Sequence, residues 1–475
     1  MGFSDLESSS MNPPGLRRAA LVVVCVSLLS MMASGGTAVA WSRAETPPFR
    51  MVGTPRIDEI DEAVRKVMAG GGVHGASLAI VYGTRLVFAK GYTWGPSSTP
   101  LVVPTTYFRQ ASVSKLITSL AIMQLVDEGK LTLSTRMQSI LHLRAPGGRP
   151  PKDPRFGDIT IRNLLDMDSG LDPALEDSDA AIAAAVGKRV PVNVDDLETY
   201  AAGETLAFKP GDKSRAAYNN SNFNFLGYIV AKMRGEKSFA DAIRKPLLEP
   251  LHITRIRGAE ALLSQQLPGE AIYYPNPSAT AKSVMSPSQP TVELGYGDEN
   301  FSLFQGGGGM SAAATDMARL LAAFNLERGN PAFSAAALTR WLKYAYNDLH
   351  NHAYSGSEAF GFFGFDALGP VAPSSSVPPY EGDKGGYLET SQNAIYFQSG
   401  AFAYVLCFSG HTGHDSNWYP SFAPVVSAME HLDWSKAPDL FPMYGMPSFE
   451  TTMRKPHRPG VPHLQFIDPK RLFVH

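Results

Sequence analysis

Apolar residues recur along this chain with two distinct periods. At Ile57, Ile60, Val64 and Val67 the spacing is that of one helix face, with Asp and Glu early, where the helix dipole favours them. Residues 76–82 and 85–89 are short apolar runs that read as strands, and Gly83-Thr84 between them fits a tight hairpin turn. The series Leu116, Ile117, Leu120, Met123, Leu125 and Val126 predicts a buried helix that Gly129 can end. Further helices are expected at 159–165, 222–233 and 316–326. The glycine run 306–309 marks backbone that turns sharply or passes close to a neighbour. Strand character returns at 392–397 and 402–408, and a closing helix is expected over 423–432.

Strands near both chain ends around a helical middle imply one antiparallel sheet assembled from both ends. The expected fold is therefore α/β of the α+β kind, with flanking helices and a mostly helical insert over about 131–342. The main domain is expected over 57–435, preceded by a proline-bearing linker at 41–56. Residues 436–475 carry seven prolines and no clear period, and are expected to form a tail that is extended on the surface or disordered.

The composition is that of an ordinary globular chain: 475 residues, 44% hydrophobic, 18% charged, long enough for one large domain or two. Lys+Arg 42 against Asp+Glu 44 leaves a formal charge of −2, which argues against nucleic acid as a partner. Residues 1–40 read as a secretory signal peptide. Arg17-Arg18 is the charged start, 19–33 the apolar stretch, and Ala38-Val39-Ala40 a small-x-small cleavage site. The expectation is an exported protein, periplasmic or secreted, with an uncleaved N-terminal anchor as the alternative. Of the two cysteines, Cys25 lies in that signal and Cys407 in an apolar run, so a mature chain would hold no internal disulfide.

Candidate chemistry begins at Ser112-Val113-Ser114-Lys115, the only Ser-x-x-Lys in the chain. Residues three apart on a helix share a face, which puts an amine beside a hydroxyl. A serine hydroxyl becomes a useful nucleophile when a neighbouring base takes its proton. At a helix start, free backbone N–H groups also stabilise developing negative charge. The bland alternative is a capping serine followed by a solvated lysine.

Tyr218-Asn219-Asn220 follows 106 residues after Ser112. A tyrosine near a lysine can act as a general base, and an asparagine two residues on can bind a substrate amide. An Asn-rich turn is the structural alternative. Tyr274-Pro275-Asn276 has the same form, but its prolines mark it as a structural loop. Lys384-Gly385-Gly386 precedes the late strand pair, and glycines at a strand's entry let a ligand approach the backbone. His411-Thr412-Gly413 is its rival, less well placed because it follows the last strand. A metal site at His411–Asp415 has no evident third ligand. The glycine run has no following Lys-Ser/Thr, and no Gly-x-Ser-x-Gly is present.

Ser-x-x-Lys, then Tyr-x-Asn, then Lys-x-Gly in this order resembles the serine β-lactamase and penicillin-binding-protein superfamily. The Tyr-x-Asn form is similar to class C β-lactamases and their esterase and D-aminopeptidase relatives. Flanking matches are 158–165, Ser169-Gly170-Leu171 and 308–319. The resemblance covers about 57–435. It implies Ser112 as acylated nucleophile, Lys115 as its base or as a modulator of Tyr218, and Tyr218 as proton relay. It also implies that Asn220, Lys384 and Gly386 position substrate, with an oxyanion hole from the Ser112 and Tyr387 amides. It implies no metal and no organic cofactor. One departure stands out: the third motif usually has Thr or Ser in the middle, and here Gly385 supplies no hydroxyl.

The reading that results is an exported serine hydrolase working through an acyl-enzyme. Its partner is a small ester, amide or peptide, with no membrane contact beyond the signal segment. Esterase-like activity ranks first, D-amino-acid peptidase or amidase second, and β-lactamase third. The competing reading is an inactive binding or sensor protein on the same fold.

Overall fold

The computed structural model describes residues 48–175, 179–273, 279–326, 329–351, 364–367, 380–398, 402–412 and 419–449. The chain divides into two compact units, Met1–Glu45 and Thr46–His475, and every described residue belongs to the second. The expected signal, Cys25, the start of the linker, the motif at 274–276, residues 413–415 and the tail from 450 lie outside the described residues.

In chain order the strands used below are β1 (Phe49–Thr54), β2 (Gly75–Tyr82), β3 (Arg85–Trp94), β4 (Tyr107–Arg109), β5 (Ile256–Gly258), β6 (Met310–Ala313), β7 (Gly364–Ala367), β8 (Tyr380–Leu388), β9 (Ser391–Gln398) and β10 (Phe402–Phe408). The helices are α1 (Asp58–Gly71), α2 (Ser114–Asp127), α3 (Asn220–Arg234), α4 (Ala314–Ala323), α5 (Ala335–Asn351) and α6 (Tyr419–Glu430). The main sheet runs β1-β3-β2-β10-β9-β8-β7, with every neighbouring pair antiparallel. β2 pairs with β10, Leu78 opposite Leu406, so the two chain ends meet in mid-sheet as expected.

Both faces of that sheet are covered, which is why its central strands are apolar throughout instead of alternating. Leu78 and Ile80 pack on one side with Ile60, Val64 and Val67 of α1 and Val425 and Met429 of α6. Ala79 and Val81 pack on the other side with Met317 and Leu321 of α4. On the first side Lys90 of β3 is buried against α1, its Nζ 2.7 Å from Asp61 Oδ2, while Tyr92 donates to Asp61 Oδ1 at 2.8 Å.

The expected linker requires correction. Residues 49–54 form edge strand β1, paired with β3 from Phe49↔Trp94 to Thr54↔Ala89. Polar residues and the flanking Pro48 and Pro55 hid it, as is usual for an edge strand. The expected tail requires correction over 436–449, which is built into the body. Leu440, Phe441 and Met446 are buried, and the Leu440 amide donates to Leu86 O at 2.8 Å. The insert is less purely helical than expected: β5 and β6 join β4 in a three-stranded sheet. Residues Thr280–Lys282 and Thr291–Glu293 form a further small hairpin.

Candidate active site

α2 is buried from Ser114 to Leu125, as a helix apolar on all sides must be. Gly129 follows in the left-handed region at φ 68°, and the Lys130 amide bonds back to Leu125 O at 3.0 Å, closing the helix where the sequence placed its end. Ser112 sits just before α2 in the 3₁₀ turn Ala111–Val113. Ala111 holds φ 49°, a sparsely populated conformation for a residue with a Cβ. Its surroundings hold it there. The Gln110 amide donates to Met310 O at 2.7 Å, and Asn393 Nδ2 and Ser391 Oγ donate to Arg109 O at 2.8 and 3.0 Å.

Lys115 is fully buried beneath that turn. Its Nζ donates to Ser112 Oγ at 3.0 Å, to Asn220 Oδ1 at 2.5 Å and to Gly307 O at 2.5 Å. An ammonium has three N–H bonds, and these three acceptors match them. Tyr218 Oη lies 2.5 Å from Ser112 Oγ. The Lys115 and Lys384 ammonium nitrogens lie 4.9 and 5.4 Å from the centre of the Tyr218 ring. The tertiary fold therefore brings Lys115 and Tyr218 onto the Ser112 hydroxyl, with Asn220 on Lys115 and Lys384 beside the Tyr218 ring.

Tyr218 and Asn220 arrive on the loop that starts α3. Asn219 is the helix N-cap, accepting from the Ser221 amide at 2.8 Å. Its other end donates to Leu171 O at 2.8 Å, and Ser169 Oγ donates to Asn222 at 2.5 Å. These bonds give Ser169-Gly170-Leu171 a job: it holds the Tyr-x-Asn loop in place.

Lys384–Gly386 precede the late strand pair as expected, and they lie inside a strand of their own, β8, which pairs with β9 in the register Gly386↔Asn393. Three glycines and three charges among its nine residues concealed that strand. A Cβ on Gly386 would collide with Gln110 O and lie 3.1 Å from the Val113 nitrogen. The glycine admits the protein's own nucleophile turn, where the sequence suggested the approach of a ligand. Tyr387, the next residue, is 47% exposed and lines the cleft. His411, the rival for the third motif, lies against Tyr387 at a ring separation of 4.4 Å, whereas the Lys384 ammonium stands over Tyr218.

Sequence reasoning missed the Gly307 carbonyl as part of the site. The signal was present in the glycine run, because Cβ atoms on Gly306 and Gly307 would strike Phe223 O and Asn224 Oδ1 of α3. Close packing on α3 brings that carbonyl to Lys115, and Thr118 Oγ1 fixes the neighbouring Gly306 carbonyl at 2.7 Å. Ser112 opens onto a cleft of about 820 Å³ with apolar walls that include Ile182 and Phe304. Among the described residues, no three His, Cys, Asp or Glu side chains come together as a metal site, and no helix is long and apolar enough to cross a membrane.

Comparison with known proteins bears on the fold and the family. Protein flp of Staphylococcus aureus (strain N315) is 29% identical over 197 residues, 41% of this chain. That stretch spans only 37% of flp's own length. Among solved structures, the octameric penicillin-binding protein homologue from Pyrococcus abyssi superposes with a TM-score of 0.54 at 19% identity, covering 80% of this chain and 79% of that one. EstCE1, a hydrolase with promiscuous acyltransferase activity, gives a TM-score of 0.54 at 16% identity, covering 78% of this chain and 97% of that one. At such identities the likeness is one of fold. The sequence model of the family described as Beta-lactamase matches residues 60–370, which hold Ser112, Lys115 and Tyr218 and the strands β2, β3 and β7 of the main sheet. This chain belongs to the Beta-lactamase family.

Proposed function

We propose that the protein is an exported serine hydrolase that cleaves small esters through an acyl-enzyme on Ser112. The observation that carries this reading is the contact of one hydroxyl with two proton-handling groups, Lys115 Nζ at 3.0 Å and Tyr218 Oη at 2.5 Å. Ser112 Oγ attacks the substrate carbonyl carbon as its proton passes into the Lys115–Tyr218 pair. The carbonyl oxygen takes the electron pair and is held by the Ser112 and Tyr387 amides. The carbon–oxygen bond to the leaving group then breaks, and the departing alkoxide takes its proton from Tyr218. Water repeats the sequence on the acyl-enzyme, giving a carboxylic acid and free Ser112. Asn220 holds Lys115 in line, and Lys384 places positive charge beside Tyr218.

Esters rank ahead of amides, and β-lactams rank third. Gly385 has no hydroxyl with which to bind a substrate carboxylate, so recognition of β-lactams loses a contact. Export rests on the signal pattern in residues 1–40. The test is hydrolysis of p-nitrophenyl butyrate by the purified chain beside its Ser112→Ala variant, with nitrocefin run in parallel. The expected result is ester cleavage that disappears in the variant and weak nitrocefin turnover. Equal rates in both proteins would overturn the assignment of Ser112. Failure of a fluorophosphonate to label Ser112 would favour the inactive binding protein.

A further inference from the structure

His411 takes no part in the chemistry above, yet it is closely bound to the one exposed aromatic ring beside the nucleophile among the described residues. The Tyr387 and His411 rings lie 4.4 Å apart at 33°, and Tyr387 Oη is 3.2 Å from His411 Nδ1. His411 Nε2 is 2.6 Å from Leu388 O. A carbonyl can only accept, so Nε2 carries the proton, and in the neutral ring Nδ1 accepts from the tyrosine hydroxyl. The loop that bears His411 is itself pinned. The Thr412 amide and hydroxyl both donate to Gln392 Oε1 at 2.8 Å, and Gln392 is the residue opposite Tyr387 in β9. A half-exposed aromatic ring is thus immobilised by stacking on one face and by a hydrogen bond at its tip.

We infer that the Tyr387–His411 pair is a stacking platform that selects substrates bearing an aromatic ring on the acyl side. This rests on the acyl-enzyme reading above. Successive side chains of a strand point to opposite faces. Lys384 reaches Tyr218 and Gly386 abuts the nucleophile turn, so Tyr387 projects from the other face of β8. The leaving group collects its proton from Tyr218 and therefore lies on that side. The acyl substituent, on the same carbon, points away from Tyr218 and toward Tyr387. There it meets a fixed π face that lines the cleft. A rigid aromatic binds a flat ring with little loss of side-chain freedom, because His411 has already fixed its rotamer. His411 is a positioning residue here, acting through Tyr387.

The test compares 4-nitrophenyl phenylacetate with 4-nitrophenyl cyclohexylacetate, which share a leaving group and differ in whether the six-carbon ring is flat. Each kcat/KM is divided by the ester's alkaline hydrolysis rate. The full chain should prefer the phenyl ester about 3- to 10-fold, in line with the usual worth of an aromatic pair. Tyr387→Phe should keep that ratio, Tyr387→Leu should bring it near one, and His411→Ala should fall between. A ratio at or below one in the unmodified protein, or one unchanged by Tyr387→Leu, overturns the platform. Equal hydrolysis by Ser112→Ala would instead sink the acyl-enzyme reading. If neither ester turns over, calorimetric binding of phenylacetate and cyclohexylacetate decides the same question, with the same ratio expected and equal affinities overturning it.

Discussion

Two buried lysines make opposite use of the same side chain. Lys90, 2% exposed, lies in the layer between the sheet and α1, where its ammonium meets both oxygens of Asp61, with Tyr92 bonded to that carboxylate. Lys115, 0% exposed, meets a serine hydroxyl, an asparagine oxygen and a backbone carbonyl. An ion pair ties a proton to its lysine and ties two structural elements together. A ring of neutral acceptors aims the head group at a reacting atom without adding a counter-charge of its own. Burial alone therefore does not mark a catalytic lysine; the chemistry of its acceptors does.

The comparison breaks most visibly through activity. Ser112→Ala and Lys115→Met should each lower kcat/KM by about 10⁴-fold or more, because members of one catalytic unit fail together. Their melting temperatures should stay within about 3 °C of the parent. Lys90→Met should do the reverse. Stripping Asp61 of its partner should cost about 3–5 kcal/mol in denaturant unfolding, with kcat per folded molecule unchanged. Adding Asp61→Leu should recover most of that loss. If Lys90→Met lowers kcat and leaves stability intact, the contrast fails.

Smaller effects sharpen the contrast. Gly386→Ala should press a methyl group onto the Gln110 carbonyl and displace the nucleophile turn, costing about 1–3 kcal/mol and lowering kcat along with stability. Glu198, part-buried on helix Val194–Ala202, is a third case. Burial chiefly, then Asp195, push its carboxyl up to about 7 against the pull of Lys232. The folded protein holds that proton more tightly than the unfolded chain does. The stability it contributes is complete below the ordinary carboxyl range and drains away as pH rises through about 7. Between pH 6 and 8 unfolding should become easier by about 1 kcal/mol, and Glu198→Gln should flatten that slope. An identical slope in both proteins would remove Glu198 from the account.

Legibility followed the type of signal. The 76–82 and 402–408 runs read as buried strands because both faces of β2 and β10 are covered, leaving no polar alternation to mislead. β1 and β8 did not read as strands. The first is an edge, half polar between prolines, and in the second three glycines, one of them (Gly386) needed beside the nucleophile turn, and three charges erase the strand's own pattern. Ser112, Lys115, Tyr218, Asn220 and Lys384 were legible because short motifs carry them. The Gly307 carbonyl was not, since a backbone oxygen has no residue type and only its distance to Lys115 identifies it.

By itself the sequence determined the buried strands β2 and β10, the helix α2 and which side chains bring chemistry. Periodicity and residue type act locally, and the Ser112–Lys115 spacing is fixed once α2 begins. The tertiary structure alone decided where Tyr218 and Lys384 meet that helix, across 106 and 272 residues of chain from Ser112. It also decided that Gly386 makes room for the nucleophile turn, that Ala111 is held in a left-handed conformation, and that His411 backs Tyr387. Such contacts join residues far apart along the chain. They exist only when both faces of the sheet are packed, so no local pattern can encode them.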